Sequence, residues 1–184
     1  MRRLQTLAHL EDVILRWTRV GDEGLRAAES WPELRHIDLS RTQVTAHGLT
    51  HLSGATHLWS LLLNQTRLGD EDVQHLCIWP NLQRLQLDDT TVGNGGVALL
   101  AGCAGLRELS LSGTRVTSLD RHIVEGVAEL RRLRLSDTQI DHESIAILTA
   151  FPQLWEIDLG VTHVNDDDVA HLSSLTGLQA LDVS

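Results

Sequence analysis

The sequence predicts an α/β solenoid, one strand and one short helix repeated along the chain until the strands form an open parallel sheet. Three observations predict it. Leucine returns every 24 residues, at Leu10, Leu34, Leu58, Leu82, Leu106, Leu130, Leu154 and Leu178, without an insertion or deletion in 184 residues. Within each period the apolar spacing changes from every second residue to every third, the change from strand to helix. The helical stretch is also punctuated, by Thr, Asp, Asn or Gly before it and, three times, by proline after it. A fixed period of this kind makes the molecule quasi-one-dimensional, each unit resting on its neighbours, and one unit has too little apolar surface to fold alone.

The elements follow in order. Residues 1–9 read as the tail of an earlier unit, since Leu4 and Leu7 fall at the nineteenth and twenty-second positions; full units fill 10–177, and 178–184 carry a last strand motif, all within one domain. The stretch from Leu34 to His57, LRHIDLSRTQVTAHGLTHLSGATH, shows the pattern. Its fourth and sixth positions, Ile37 and Leu39 here, are apolar in every unit and point inward, while the third, fifth and seventh point outward. The ninth is threonine from Thr18 to Thr162, expected to be buried and to bond neighbouring turn backbone as a ladder of hydroxyls. The twelfth and thirteenth positions start the helices, at Gly21-Asp22, Thr45, Gly69-Asp70, Gly93-Asn94, Thr117-Ser118, Asp141 and Asn165-Asp166, each with a side chain able to accept from first-turn amides. Acidic groups such as Glu71, Asp72, Asp167 and Asp168 then sit where the helix dipole favours them. Leu49, Leu52 and Ala55 mark the buried helical face, and Pro32, Pro80 and Pro152 all fall at the twenty-third position as helix stops. One unit departs: Arg121 stands at the sixteenth position, where the others are apolar. The stripe Leu119, Ile123, Val124 and Val127 then calls for a rotated or earlier-starting helix.

Charge narrows the partners. A net charge of -10 argues against nucleic acid or an anionic membrane as the main partner. No apolar run approaches the ~20 residues of a membrane span, and Met1-Arg2-Arg3 leads into amphipathic sequence, so a cytoplasmic location is expected. Cys77 and Cys103 are expected to be buried reduced thiols, because the repeat needs no staple.

The pattern L-x-x-L-x-L-x-x-T-x-V-T/G-D-x-G-L-x-x-L covers essentially the whole chain and resembles the leucine-rich repeat. It is most similar to bacterial repeats and to the ribonuclease-inhibitor-like and F-box-associated subclasses, whose ninth position is usually Asn or Cys where this chain has Thr. The resemblance implies a right-handed horseshoe solenoid that binds other proteins, with the parallel sheet on its concave face and short helices on its convex face. The chain has no room for an F-box.

No residue set supplies catalysis. Neither a nucleophile elbow nor a phosphate loop occurs; Gly93-Asn94-Gly95-Gly96 lacks the Lys and Ser/Thr of one and sits at a helix start. His47, His51 and His75 invite a metal but lie on convex helices without metal-ligand spacing, and Asp166-Asp167-Asp168 lacks the Gly and distal Glu of a calcium loop. The expectation is a non-enzymatic, cofactor-free and metal-free scaffold for a protein partner. The alternatives are a substrate-recognition module of a larger enzyme, such as a ubiquitin ligase or effector, or a fragment of a longer repeat protein. End-to-end self-association through the first and last strands is a further expectation. The partner is expected on the open sheet face. There Ile14, Trp17, His36, Asp38, Trp59 and Leu62 offer apolar anchors in a polar rim, and Arg84, Gln86, Arg132, Arg134 and Trp155 form a more charged second half.

Overall fold

The computed structural model describes residues 6–184, so the expectation for Leu4 lies outside the described residues. Eight strands, β1 (Asp12–Ile14), β2 (His36–Asp38), β3 (Ser60–Leu62), β4 (Arg84–Gln86), β5 (Glu108–Ser110), β6 (Arg132–Arg134), β7 (Glu156–Asp158) and β8 (Ala180–Asp182), form one parallel sheet in chain order. Every pairing joins residues 24 apart, from Asp12 with His36 to Glu156 with Ala180. The seven α-helices among the described residues are α1 (Asp22–Leu25), α2 (Ala46–Leu49), α3 (Asp70–Val73), α4 (Asn94–Leu100), α5 (Arg121–Gly126), α6 (His142–Leu148) and α7 (Asp166–Leu172). The first three are one turn long and tighten into 3-10 turns at Arg26–Ser30, Thr50–Leu52 and Leu76–Ile78.

Between sheet and helices runs one continuous ridge of apolar side chains, with Leu34, Ile37, Leu39, Leu58, Leu61 and Leu63 all closed to solvent. Position twenty-two supplies the bulk: Trp31, Trp79 and Phe151 are buried, and the indole N–H of Trp79 donates to the Leu52 carbonyl at 2.9 Å. At the last strand, Leu181 and Val183 remain exposed at positions that earlier units bury against the next strand.

After each of the first seven strands the chain turns through a left-handed residue at the eighth position. Trp17, Arg41, Gln65, Asp89, Gly113, Asp137 and Val161 all have φ between 53° and 66°. For residues other than glycine this conformation costs roughly 1 to 2 kcal/mol. It aims each amide at the seventh-position carbonyl of the next unit, as from Arg41 to Asn64 at 2.8 Å and Gln65 to Asp88 at 2.7 Å. The ladder therefore continues past the strands.

The threonine that follows secures the turn within its own unit. Thr42, Thr66, Thr90, Thr114 and Thr138 are buried, and each hydroxyl donates to the carbonyl three residues earlier, at 2.5 to 2.7 Å. Thr18 and Thr162 make the same bond but are exposed and half-buried.

Two helix expectations need correction. Gly21, Gly69 and Gly93 stand at the cap positions of α1, α3 and α4 and bring no capping side chain. The next residues, Asp22, Asp70 and Asn94, accept instead from the following unit: Asp22 from the Thr45 amide and hydroxyl, both at 2.8 Å, Asp70 from the Gly93 amide at 2.6 Å, and Asn94 from the Thr117 amide at 2.8 Å. These side chains join units. Thr45, Asp141 and Asn165 do cap their own helices. In the irregular unit α5 begins at Arg121, later than the pattern and not earlier. Asp120 caps it by accepting from the His122 amide, and Ile123 and Val127 fill the core.

Cys77 and Cys103 are disulfide-bonded, not reduced. The separation of 26 residues is one period plus two, which brings the two backbones to a Cα–Cα distance of 4.7 Å on adjacent units, within disulfide reach. Closing a loop of that length is worth about 3.5 kcal/mol against the unfolded chain. The bond forms only where thiols are oxidised.

The ninth-position hydroxyl generates a stability test. Thr90→Val removes the donor to the Leu87 carbonyl without changing side-chain shape, and the loss is expected to be about 1 to 3 kcal/mol in urea unfolding. An unchanged midpoint would show that the bond contributes nothing.

Candidate protein-binding face

The concave sheet face is built from columns, because residues one period apart lie side by side on neighbouring strands. The third-position column carries charges in alternation, and the structure links them. Glu108 accepts from Arg132 at 3.0 Å and pairs with Arg84 at 3.4 Å, and Glu156 accepts from Arg134 at 3.1 Å and pairs with Arg132 at 3.0 Å. The guanidinium of Arg132 also lies 4.5 Å over the Trp155 ring. Partial exposure limits the stabilising worth of such pairs, yet the network fixes the direction of each side chain. Further back in the sheet, His36 Nδ1 lies 2.8 Å from Ser60 Oγ and its ring 6.4 Å from that of Trp59.

Beside this network, at the strand starts, the second-position residues Trp59, Gln83, Arg107, Arg131 and Trp155 line a trough of about 300 Å³. Arg107 reaches Glu129 only at 4.0 Å, and Arg131 makes no ion pair among the described residues.

The fifth-position column has a different character. Ile14, Asp38 and Leu62 are direct partners on β1, β2 and β3. Ile14 is 65% exposed and Leu62 half-buried, while the Asp38 carboxylate is turned in to accept from the Ser40 amide at 2.9 Å. Gln86 accepts from the Asn64 side-chain amide at 3.0 Å. Behind it lies Asp88, which accepts from the Ser110 hydroxyl at 2.5 Å and the Ser112 amide at 3.0 Å. Burial raises its pKa, with those two hydrogen bonds opposing and the neighbouring Asp89 charge adding to the shift.

The anchors of the first half do not form one cluster. Trp59 and His36 stand at the strand starts and Ile14 and Leu62 in mid-face. Trp17 is at the far edge, six residues further along the repeat or roughly 20 Å of extended chain, under the Arg41 guanidinium at 3.7 Å. In the second half Arg84, Arg132, Arg134 and Trp155 are brought together, tied by the two glutamates. The sequence reading missed Gln83, Arg107 and Arg131; reading the second position as a column from Arg35 to Gln179 would have exposed them. On the convex side, His51 Nδ1 lies 2.6 Å from Glu29 and its ring 6.2 Å from His47. Among the described residues no three His, Cys, Asp or Glu side chains are grouped to hold a metal, and no helix is long and apolar enough to cross a membrane.

An open parallel sheet backed by short helices, in units of one fixed length, is a horseshoe solenoid; the chain has the leucine-rich-repeat fold. A family model described as leucine-rich repeat matches residues 6–27. Among solved structures, the internalin InlF of Listeria monocytogenes superposes with a TM-score of 0.74 at 16% identity, covering 98% of this chain and 56% of that one. Internalin C2 of the same organism superposes at 0.67 with 22% identity, covering 100% and 83%. TLR13 in its complex with ssRNA13 superposes at 0.62 with 21% identity, covering 98% and 33%. This chain thus spans about half of the first structure and a third of the last. No curated protein matches it by sequence.

Asp88 generates a pH test. Its pKa is higher folded than unfolded, so the folded state binds the proton more tightly, and the residue's contribution to stability falls as pH rises through the carboxylate range. Asp88→Asn removes that loss. The variant should therefore gain on wild type between about pH 3 and about pH 7 in paired urea titrations. A difference independent of pH would contradict the buried-carboxylate account.

Proposed function

We propose that this chain is a non-enzymatic scaffold whose protein partner sits on the concave sheet face. The observation that carries the reading is the contrast between the two sides of the strands. Fourth and sixth positions are apolar throughout, because packing fixes them. Third and fifth positions run through Asp, His, Ser, Arg, Glu, Ala, Ile, Leu and Gln, and of these Ser60, Asp38 and Ser110 alone are buried. Exposed Ile14 and Trp59 lie on that variable side, apolar groups that lose water only when something covers them. The fold itself is shared by proteins of many functions, so the partner has to be read from this face and not from the neighbours.

Ile14, Leu62 and Trp59 with His36 form the anchor region of this reading, and the network around Glu108 and Glu156 is the polar ground beside it. The same geometry serves a recognition module within a larger enzyme, which would use the same face. Pull-down with the whole chain, followed by mass spectrometry, separates the two by whether the captured partner is a substrate held alongside a catalytic subunit.

Placement on the face is tested directly. A Trp59→Ala, Leu62→Ala double variant should bind a captured partner at least ~1 to 2 kcal/mol more weakly by titration calorimetry, with a small change in thermal midpoint. Truncating convex, exposed His171 should alter neither value. Equal affinity of the double variant and wild type would refute the placement.

A further inference from the structure

We infer that the second-position trough is a docking groove for an acidic, extended segment of a partner protein, clamped between Trp59 and Trp155. The inference deepens the concave-face reading and rests on it.

The charge is the first observation. The chain carries -10 overall, yet the trough walls bring Arg84, Arg107, Arg131 and Arg132 against the one carboxylate of Glu108. Arg84 and Arg132 are engaged with Glu108 and Glu156. Arg131 has no ion pair among the described residues, and Arg107 has only a distant one. Two guanidiniums on neighbouring strands thus remain available, and the planar fork of each suits bidentate contact with a carboxylate.

The geometry is the second. Trp59 and Trp155 precede β3 and β7, four strand spacings apart, or roughly 19 Å at ~4.8 Å per strand. An extended peptide rising ~3.3 Å per residue spans that gap with about six residues. Its ends meet indole rings and its middle meets Gln83, Arg107 and Arg131. The third observation is what lies across the face. At the strand ends of the same units stand Asp88, Asp89, Asp137 and Asp158, with Arg134 the one basic group among the fifth- to eighth-position residues there. Like charges on that side confine an acidic segment to the strand starts and so fix its direction across the sheet.

Tryptophan and arginine also suit single-stranded RNA. The net charge and the acidic strip oppose a polyanion that must continue beyond the trough, and the proposal is therefore for an acidic polypeptide.

The test uses the whole chain and a fluorescein-labelled oligoglutamate peptide with a leucine at each end, matched in length to the gap between the tryptophans. Its glutamine and lysine analogues and an oligouridylate of equal span serve as competitors, with binding read as anisotropy at low and physiological salt. The glutamate peptide should bind at least tenfold tighter than the glutamine peptide and lose affinity with salt. It should lose at least tenfold in an Arg107→Glu, Arg131→Glu variant whose thermal midpoint is unchanged. An Arg67→Glu, Arg115→Glu variant, with the same change in net charge at the tenth position, should bind as wild type does. Equal binding of glutamate and glutamine peptides, indifference to the Arg107 and Arg131 reversals, or tighter binding of the oligouridylate would overturn the inference. If those results came with a captured partner that is still lost on Trp59→Ala, Leu62→Ala, the acidic groove would fall and the concave-face reading would stand.

Discussion

The structure depends on one handover repeated along the chain: the left-handed residue at the eighth position gives its amide to the next unit's carbonyl. The strands themselves are only three residues long, too short to hold a sheet in register unaided. The turn extends the ladder beyond them, and the threonine hydroxyl closes the same turn from inside. Trp, Arg, Gln, Asp, Gly and Val all adopt this conformation at the eighth position, even though a β-branched residue such as Val161 is strongly disfavoured in it. Residue preference therefore does not impose it. The ladder does, and the bonds formed on both sides of the turn offset the strain.

That division of labour releases the concave face. Inward columns, turn threonines and the unit-joining carboxylates of Asp22 and Asp70 carry the fold. Outward columns, buried Asp38, Ser60 and Ser110 apart, are free to encode a surface. What they encode is asymmetric. Strand starts hold tryptophan and arginine, while strand ends hold aspartate, with a network of two glutamates and three arginines stiffening the ground between them. Side chains fixed in this way lose less freedom when a partner arrives, which is the general advantage of a preorganised site.

The fold was legible in the sequence because its two main constraints act on residue type at fixed spacing. Burial requires apolar groups at the fourth and sixth positions, and an uninterrupted period of 24 dictates the register. Three features were not read from the sequence, each for a different reason. Asp22, Asp70 and Asn94 look the same whether they cap their own helix or join units; only the glycine before each hints at the second use. The left-handed turn has no residue signature. The cystine could have been read from its spacing of one period plus two, which sets adjacent units side by side, had thiol separation been counted in periods. Trp59, Arg84, Arg132 and Trp155, which the trough brings together, are named by the sequence, but grouping Trp17 with Trp59 ignored the length of the strand between them. The trough escaped because its arginines belong to a column that the alternation of strand residues does not mark.

Amide hydrogen exchange tests the handover most directly, since it separates the amide from its exposed side chain. Arg41, Gln65, Asp89 and Asp137 are exposed, yet their amides donate to the next unit at 2.7 to 2.8 Å. The account predicts that these amides exchange as slowly as those of Leu39, Leu63, Leu87 and Leu135, the buried leucines that follow the strands, through the same cooperative opening. Exchange at the rates of unprotected loop amides would contradict it and leave the register of the sheet to side-chain packing alone.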